Sequence, residues 1–175
     1  MTIRRAVYAG SFDPIHYGHI NIASRGARLF DELIVAVYDR PAKTLLFNFE
    51  ERAALVRRAF EHVPNITVTG FSGLAVDFCR SVDAKIMVRG LRVFSDFEFE
   101  FRMALANRRL DPTIEVVELI TDERNTFLSS TTVREIAQLG GDVSSMVPPF
   151  VAEALRAKYL TPTDSHTVPS SLGRD

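Results

Sequence analysis

The chain has 175 residues, 46% of them hydrophobic and 25% charged, and a formal net charge of −1. That length suits one domain with a substantial core, and the balanced charge gives no global basic field for DNA or RNA. One cysteine excludes an intramolecular disulfide framework and a cysteine-based zinc site, and no apolar run reaches the roughly 18 residues of a membrane span.

Ile3 to Ala9 predicts a first strand. The apolar stretch after Arg4 and Arg5 is too short for a signal peptide, so a cytoplasmic protein is expected. A turn follows, Gly10-Ser11-Phe12-Asp13-Pro14-Ile15-His16-Tyr17-Gly18-His19. His19 to Phe30 then carries Ile20, Ile22, Ala23, Ala27 and Phe30 at helical spacing. Leu33 to Tyr38 is a continuous apolar run, as in a strand covered on both faces. Asn48 predicts an N-cap, with Glu50 and Glu51 in the first turn of a helix reaching about His62. Ile66 to Thr69 is a short strand, Leu74 to Val82 a helix and Ala84 to Val88 a buried strand. Phe94 to Leu110 predicts a long amphipathic helix, and Ile114 to Ile120 a fifth strand. Ser130 to Leu139 and Pro148 to Tyr159 are closing helices. Cys79 is expected to be a buried structural thiol. The segment 161–175, rich in Ser, Thr and Pro, is expected to be a disordered tail, and His166 within it is expected to have no role.

Strands alternating with helices predict an α/β protein: a Rossmann-like open five-stranded parallel sheet with helices on both faces, within one domain over 1–160. In such a sheet, ligands bind outside the carboxyl ends of the strands. Four clusters fall on that edge. In the first turn, His16 and His19 sit beside a helix N-terminus, where backbone N–H groups and imidazole donors favour phosphate. Backbone capping is the structural alternative, and a metal site would need further ligands that are not near in sequence. Gly18 suits a close approach by a ring or ribose. The second cluster is Tyr38-Asp39-Arg40-Pro41-Ala42-Lys43. The third is Arg89-Gly90-Leu91-Arg92, whose arginines offer forked donors matched to phosphate. In the helix behind it, Phe97 and Phe101 face the core or a partner, and Asp96 and Glu100 form a separate stripe. The fourth is Leu128-Ser129-Ser130-Thr131-Thr132-Val133-Arg134, hydroxyls and free amides at a helix start with Arg134 one turn in. Their convergence predicts one polyphosphate site.

The 10–19 turn together with Ser-Ser-Thr-Thr-Val-Arg (129–134) resembles the paired H-x-G-H and S-S-T-x-x-R signatures of the nucleotidylyltransferase superfamily. Arg-Gly-Leu-Arg (89–92), Asp-Phe-Glu-Phe-Glu (96–100) and Lys43 resemble, more specifically, the bacterial phosphopantetheine adenylyltransferase family. The resemblance covers roughly residues 3–160. It implies transfer of an adenylyl group from ATP to 4′-phosphopantetheine with Mg²⁺, by a homohexamer, with no nucleic-acid or membrane partner. It further implies that His19 and Lys43 are catalytic, and that Ser11, Lys43, Ala75 and Arg89 bind phosphopantetheine. ATP would be held by Ser11, Phe12, His19, Gly90, Leu91, Arg92, Glu100 and the loop Asn125, Thr126, Phe127, Leu128, Ser129, Ser130 and Thr131. Asn125 stands where the family often has Tyr or Trp. The rival expectations are a related nucleotidylyltransferase using CTP or nicotinamide mononucleotide, and a nucleotide-binding module without turnover.

Overall fold

The computed structural model describes residues 3–41 and 44–160. Lys43 and the expected 161–175 tail lie outside the described residues.

Five strands form one all-parallel sheet, ordered β3-β2-β1-β4-β5. They are β1 (Arg5–Gly10), β2 (Glu32–Tyr38), β3 (Ile66–Phe71), β4 (Ile86–Leu91) and β5 (Glu115–Ile120). Between and after them lie α1 (Tyr17–Leu29), α2 (Phe49–Phe60), α3 (Ala75–Ser81), α4 (Phe94–Leu110), α5 (Ser130–Gln138) and α6 (Pro149–Leu160). The sheet grows outward from β1 in both directions. The reversal of strand order therefore falls between β1 and β4, and their carboxyl ends open a crevice there.

Alternation along each strand divides the core. On one face Tyr8, Leu33, Val35, Val37 and Val88 pack with α1, α2, α5 and α6 side chains such as Ile22, Val56, Val133 and Leu155. On the other face Val7, Ala9, Ile34, Ala36 and Met87 meet Val76 and Cys79 of α3. Each fully buried aliphatic side chain contributes about 1.5–3 kcal/mol. Cys79 is the structural thiol that was expected, with no exposed surface.

The helix starts follow local chemistry. Asn48 caps α2 by accepting from the Glu51 N–H at 2.8 Å, and Glu51 returns the bond to the Asn48 N–H at 2.9 Å. Among the expected boundaries that move, two bear on the site. β4 runs on through Arg89, Gly90 and Leu91, because these residues pair with β5 up to Leu91–Ile120; the arginine-rich segment closes the strand rather than following it. α1 begins at Tyr17, two residues before the expected start, because His16 caps it.

α4 has its predicted bounds, and of the two expected settings for Phe97 and Phe101, core or partner, the core is not the one they occupy. Phe97 and Phe101 stack on each other, half exposed, rather than entering the core. The helix meets the sheet through polar groups instead: Glu100 against Arg89, and the Asn107 amide donating to Met87 Sδ at 3.7 Å. Asp96 and Glu100 therefore lie beneath the helix, and Phe97 and Phe101 outside it.

Burial, and then the nearby Asp111 charge, push the Cys79 thiol up to about 11. An aromatic disulfide reagent at pH 8 is expected to label the native protein only as fast as the fold opens, and at once in denaturant. Immediate labelling of the native protein would contradict this burial.

Candidate active site

A cleft of about 690 Å³ lies across the crevice between β1 and β4. Of the expected site residues, Ser11, Phe12, His19, Ala75, Arg89, Gly90, Arg92, Glu100, Ser129, Ser130 and Thr131 line it. Leu91, Asn125, Thr126, Phe127 and Leu128 do not. Asn125 and Leu128 are buried, while Phe127 points to solvent. Leu128 still serves the site through its carbonyl, which accepts from Arg92 Nη1 at 2.7 Å.

The two histidines form a reciprocal cap. His16 Nδ1 accepts from the His19 N–H at 3.4 Å, and His19 Nδ1 accepts from the His16 N–H at 3.3 Å. Their rings stack with centroids 3.7 Å apart. Burial, helped by the Arg92 charge, lowers His16 to about 3, so it is a neutral structural ring. With Nδ1 engaged as an acceptor, the proton of a neutral His19 ring is assigned to Nε2. That donor sits on a ring that lines the cleft. Gly18 is explained from inside the protein: a Cβ there would stand 2.9 Å from His16 Cε1. Within the chain, the ring it makes room for is that of the capping histidine. Phe12, fully buried with φ +49°, packs edge-on against Tyr8 and His19 and fixes the wall of the turn.

Both arginines at the end of β4 are paired. Arg89 grips Glu100 with Nε at 2.9 Å and Nη2 at 2.7 Å, and donates from Nη1 to the Ala9 carbonyl at 3.1 Å. Burial works against its charge, but Glu100 outweighs burial and raises the Arg89 pKa. Arg92 grips Asp96 with Nε and Nη2 at 3.0 and 3.1 Å. A guanidinium has five N–H donors, so each arginine keeps donors for an incoming anion.

The hydroxyl run at α5 is more structural than its sequence implied. Ser129 caps the helix, accepting from the Thr132 N–H at 3.0 Å. Ser130 Oγ donates to the Pro14 carbonyl at 2.9 Å, and Thr131 Oγ1 accepts from Arg134 at 3.4 Å. What α5 offers the cleft is the start of a helix, whose first amides have no intrahelical acceptor. Arg134 is diverted from the expected anion cradle. It donates to the carbonyl of Asp13 and, at 3.2 Å, to Asp13 Oδ2.

That contact exposes two residues the sequence reading passed over. Asp13 is wholly buried, and its carboxylate also accepts from the Leu46 and Phe47 amides, both at 2.9 Å. It ties the first turn to α5 and to the entry of α2. Arg52, only 1% exposed, binds backbone carbonyls. Its Nε donates to Phe47 at 3.2 Å, its Nη1 to Ser11 at 2.8 Å and Tyr38 at 2.7 Å, and its Nη2 to Asp39 at 3.0 Å. One side chain thus fixes the first turn, the exit of β2 and the approach to α2. The available signal was a cation in the opening turn of a helix, where the dipole disfavours it. Of the apolar side of the cleft, Ala75 was expected; Phe71, Met103 and Val116 were missed.

Fold and cleft together define an α/β nucleotidyltransferase, and the cytidylyltransferase-like family matches residues 7–136. A Roseiflexus sp. (strain RS-1) protein named phosphopantetheine adenylyltransferase is 54% identical over 159 residues, spanning 91% of this chain and 98% of its own. One of the same name from Herpetosiphon aurantiacus is 52% identical, spanning 94% and 99%. A proposed nicotinate-nucleotide adenylyltransferase from Vibrio parahaemolyticus shares the fold, with TM-score 0.67, 18% identity, and coverage of 89% of this chain and 99% of that one. The chain belongs to the phosphopantetheine adenylyltransferase family.

Replacing Arg52 with Met leaves four inward-facing carbonyls without their donor. A stability loss of about 3 kcal/mol is expected in urea denaturation. Arg52→Lys should recover less than half, since an ammonium cannot span the four acceptors. A loss below about 1 kcal/mol for the Met variant would show that the carbonyls find other donors.

Proposed function

We infer that the protein transfers an adenylyl group from ATP to 4′-phosphopantetheine, giving dephospho-CoA and pyrophosphate. One observation carries this reading. In a chain of this family, His19, Arg89, Arg92 and the start of α5 line a single cleft that continues into an apolar wall at Leu74, Ala75, Met103 and Val116. Anionic groups suit the first part and a pantetheine arm the second.

An oxygen of the acceptor phosphate forms a bond to the ATP α-phosphorus as the bond to the bridging oxygen breaks, and the electron pair leaves with pyrophosphate. A phosphate monoester is largely ionised at neutral pH, so the step needs no general base. It needs alignment and charge stabilisation. His19 Nε2–H donates to the α-phosphate, where charge builds up. Ser11 orients the acceptor phosphate, and Arg89 holds it together with Lys43, a role given to Lys43 by family resemblance. Phe12, Gly90, Leu91, Arg92, Glu100 and the 125–131 loop are assigned to ATP. For Asn125, Thr126, Phe127 and Leu128 the support is resemblance plus the Leu128 carbonyl bond to Arg92.

Mg²⁺ is proposed as the companion of ATP. Among the described residues no group of three or more His, Cys, Asp or Glu side chains could hold a metal ion. The cleft carboxylate of Glu100 is committed to Arg89. These residues do not build a protein cage, and Mg²⁺ commonly rides on substrate phosphates.

We also propose a cytoplasmic homohexamer. No helix among the described residues is long and apolar enough to cross a membrane. α4 carries Phe94, 91% exposed, along with exposed Phe97, Phe99, Phe101 and Leu105. A band of that kind marks an association surface. Light scattering should give about six times the chain mass, and a concentration-independent monomer would overturn the assembly.

Incubation with ATP, Mg²⁺ and 4′-phosphopantetheine should yield dephospho-CoA by mass spectrometry. CTP, or nicotinamide mononucleotide as acceptor, should give little product. His19→Ala should lower kcat by about a hundredfold or more, as expected for one preorganised donor, while the circular dichroism spectrum is retained. Near-normal turnover in that variant would remove His19 from the mechanism.

A further inference from the structure

Glu118 on β5 stands opposite Arg89 in the β4–β5 register. Both its carboxyl oxygens are shut off from solvent, and neither has a hydrogen-bond partner among the described residues. A buried carboxyl left without partners in this way is costly. The charged groups that act on it are the Arg89 guanidinium from β4 and the Glu100 carboxylate from α4. Glu100 already takes two of Arg89's donors in a forked pair. One cation therefore serves two carboxyls, and the second is held next to it without a bond.

We propose that Glu118 tunes acceptor capture: a phosphate arriving at Arg89 is bound together with a proton taken up by Glu118. This rests on the assignment of Arg89 to the acceptor phosphate. A phosphate dianion added beside two carboxylates and one guanidinium leaves the cluster strongly negative. Protonating Glu118 removes one of those charges without disturbing the Arg89–Glu100 fork. Burial first, then Glu100, push the Glu118 carboxyl up to about 7, against the pull of Arg89. It is therefore able to exchange a proton in the neutral range. A bound dianion raises it further, so affinity is greatest below the free-state value and falls as pH rises through it. Two other groups do not titrate in this window: His16 is neutral down to about 3 and Cys79 stays protonated to about 11. The acceptor's own second ionisation, near about 6, finishes below it.

The test is the acceptor KM from pH 7.0 to 8.5, with saturating ATP and Mg²⁺, for wild type, Glu118→Gln and Arg89→Gln. Wild-type KM should rise about fivefold across the range, as the linkage of a proton lost between about pH 7 and 8 requires. In Glu118→Gln the rise should fall below about twofold. A wild-type KM that is flat, or a rise that persists in Glu118→Gln, would overturn the proposal. Arg89→Gln should raise acceptor KM at least about tenfold at every pH. If it leaves that KM unmoved, the Arg89 assignment fails and the proposal falls with it; a tenfold rise there with no change in Glu118→Gln overturns the proposal alone. Thermal unfolding gives a readout independent of turnover. A carboxyl raised above its unfolded value of about 4.3 loses stability as pH climbs from there through about 7. The Tm advantage of Glu118→Met over wild type should therefore grow between pH 5 and 8, and a constant difference would count against a titrating Glu118.

Discussion

Five parallel strands leave all their carboxyl ends on one edge, and the rest of this molecule follows from that constraint. Every strand-to-helix connection must leave from the same side. Where strand order reverses, between β1 and β4, no crossover can cover the gap. A cleft is unavoidable there, and loops separated by more than a hundred residues are brought together around it. Loops placed by topology alone are not yet placed to a fraction of an ångström. Asp13 and Arg52 supply that finer placement. One is a buried acceptor gathering amides and Arg134, the other a buried donor gathering carbonyls. The first turn is held from both sides by opposite charges that contact mostly main chain, so its geometry does not depend on flexible side chains meeting one another.

Among the described residues, the two arginines at the end of β4 are paired with carboxylates before any substrate arrives. Arg89 and Arg92 each sit in a forked carboxylate pair, with Glu100 and Asp96 one helical turn apart on α4. This keeps guanidinium groups oriented and prevents two like charges from spreading the edge of the sheet. It also makes α4 a part of the binding site. The helix contributes little apolar surface to the core, so its position depends largely on those two pairs and on Asn107. Charge that enters the cleft acts on the same groups that hold the helix in place.

What could be read in advance follows the range of each interaction. Asn48, Glu50 and Glu51 announced a helix because capping is completed within four residues. The strand order and the convergence of four polar clusters followed from alternation and from the geometry of parallel sheets. His16 and His19 were visible as a pair, but their division of labour was not, since it depends on which ring is buried. Arg52 and Asp13 were passed over because most of their partners lie well outside their own turn: Asp13 meets Leu46 across 33 residues and Arg134 across 121. Glu118 was passed over because its setting depends on Arg89, which stands opposite it on another strand. Arg134 and the hydroxyls of 129–131 were overread for the same reason. In sequence they resemble an anion cradle, yet in the fold Ser130 and Arg134 bond the first turn, while Ser129 and Thr131 bond within the start of α5.

α4 is where the local pattern and the packing disagree most. Phe97 and Phe101 suggested a stripe for the core or a partner, with Asp96 and Glu100 on a separate stripe. The structure keeps the phenylalanines out of the core, because the sheet edge beneath the helix ends in arginines rather than aliphatic side chains. Carboxylates are the groups that can be buried against guanidinium, so Asp96 and Glu100 turn inward and the phenylalanines are left outside. An apolar face exposed in this way is a consequence of the site's own charge. The same pairing that prepares the cleft for anions turns outward the surface through which another copy of the chain can be held.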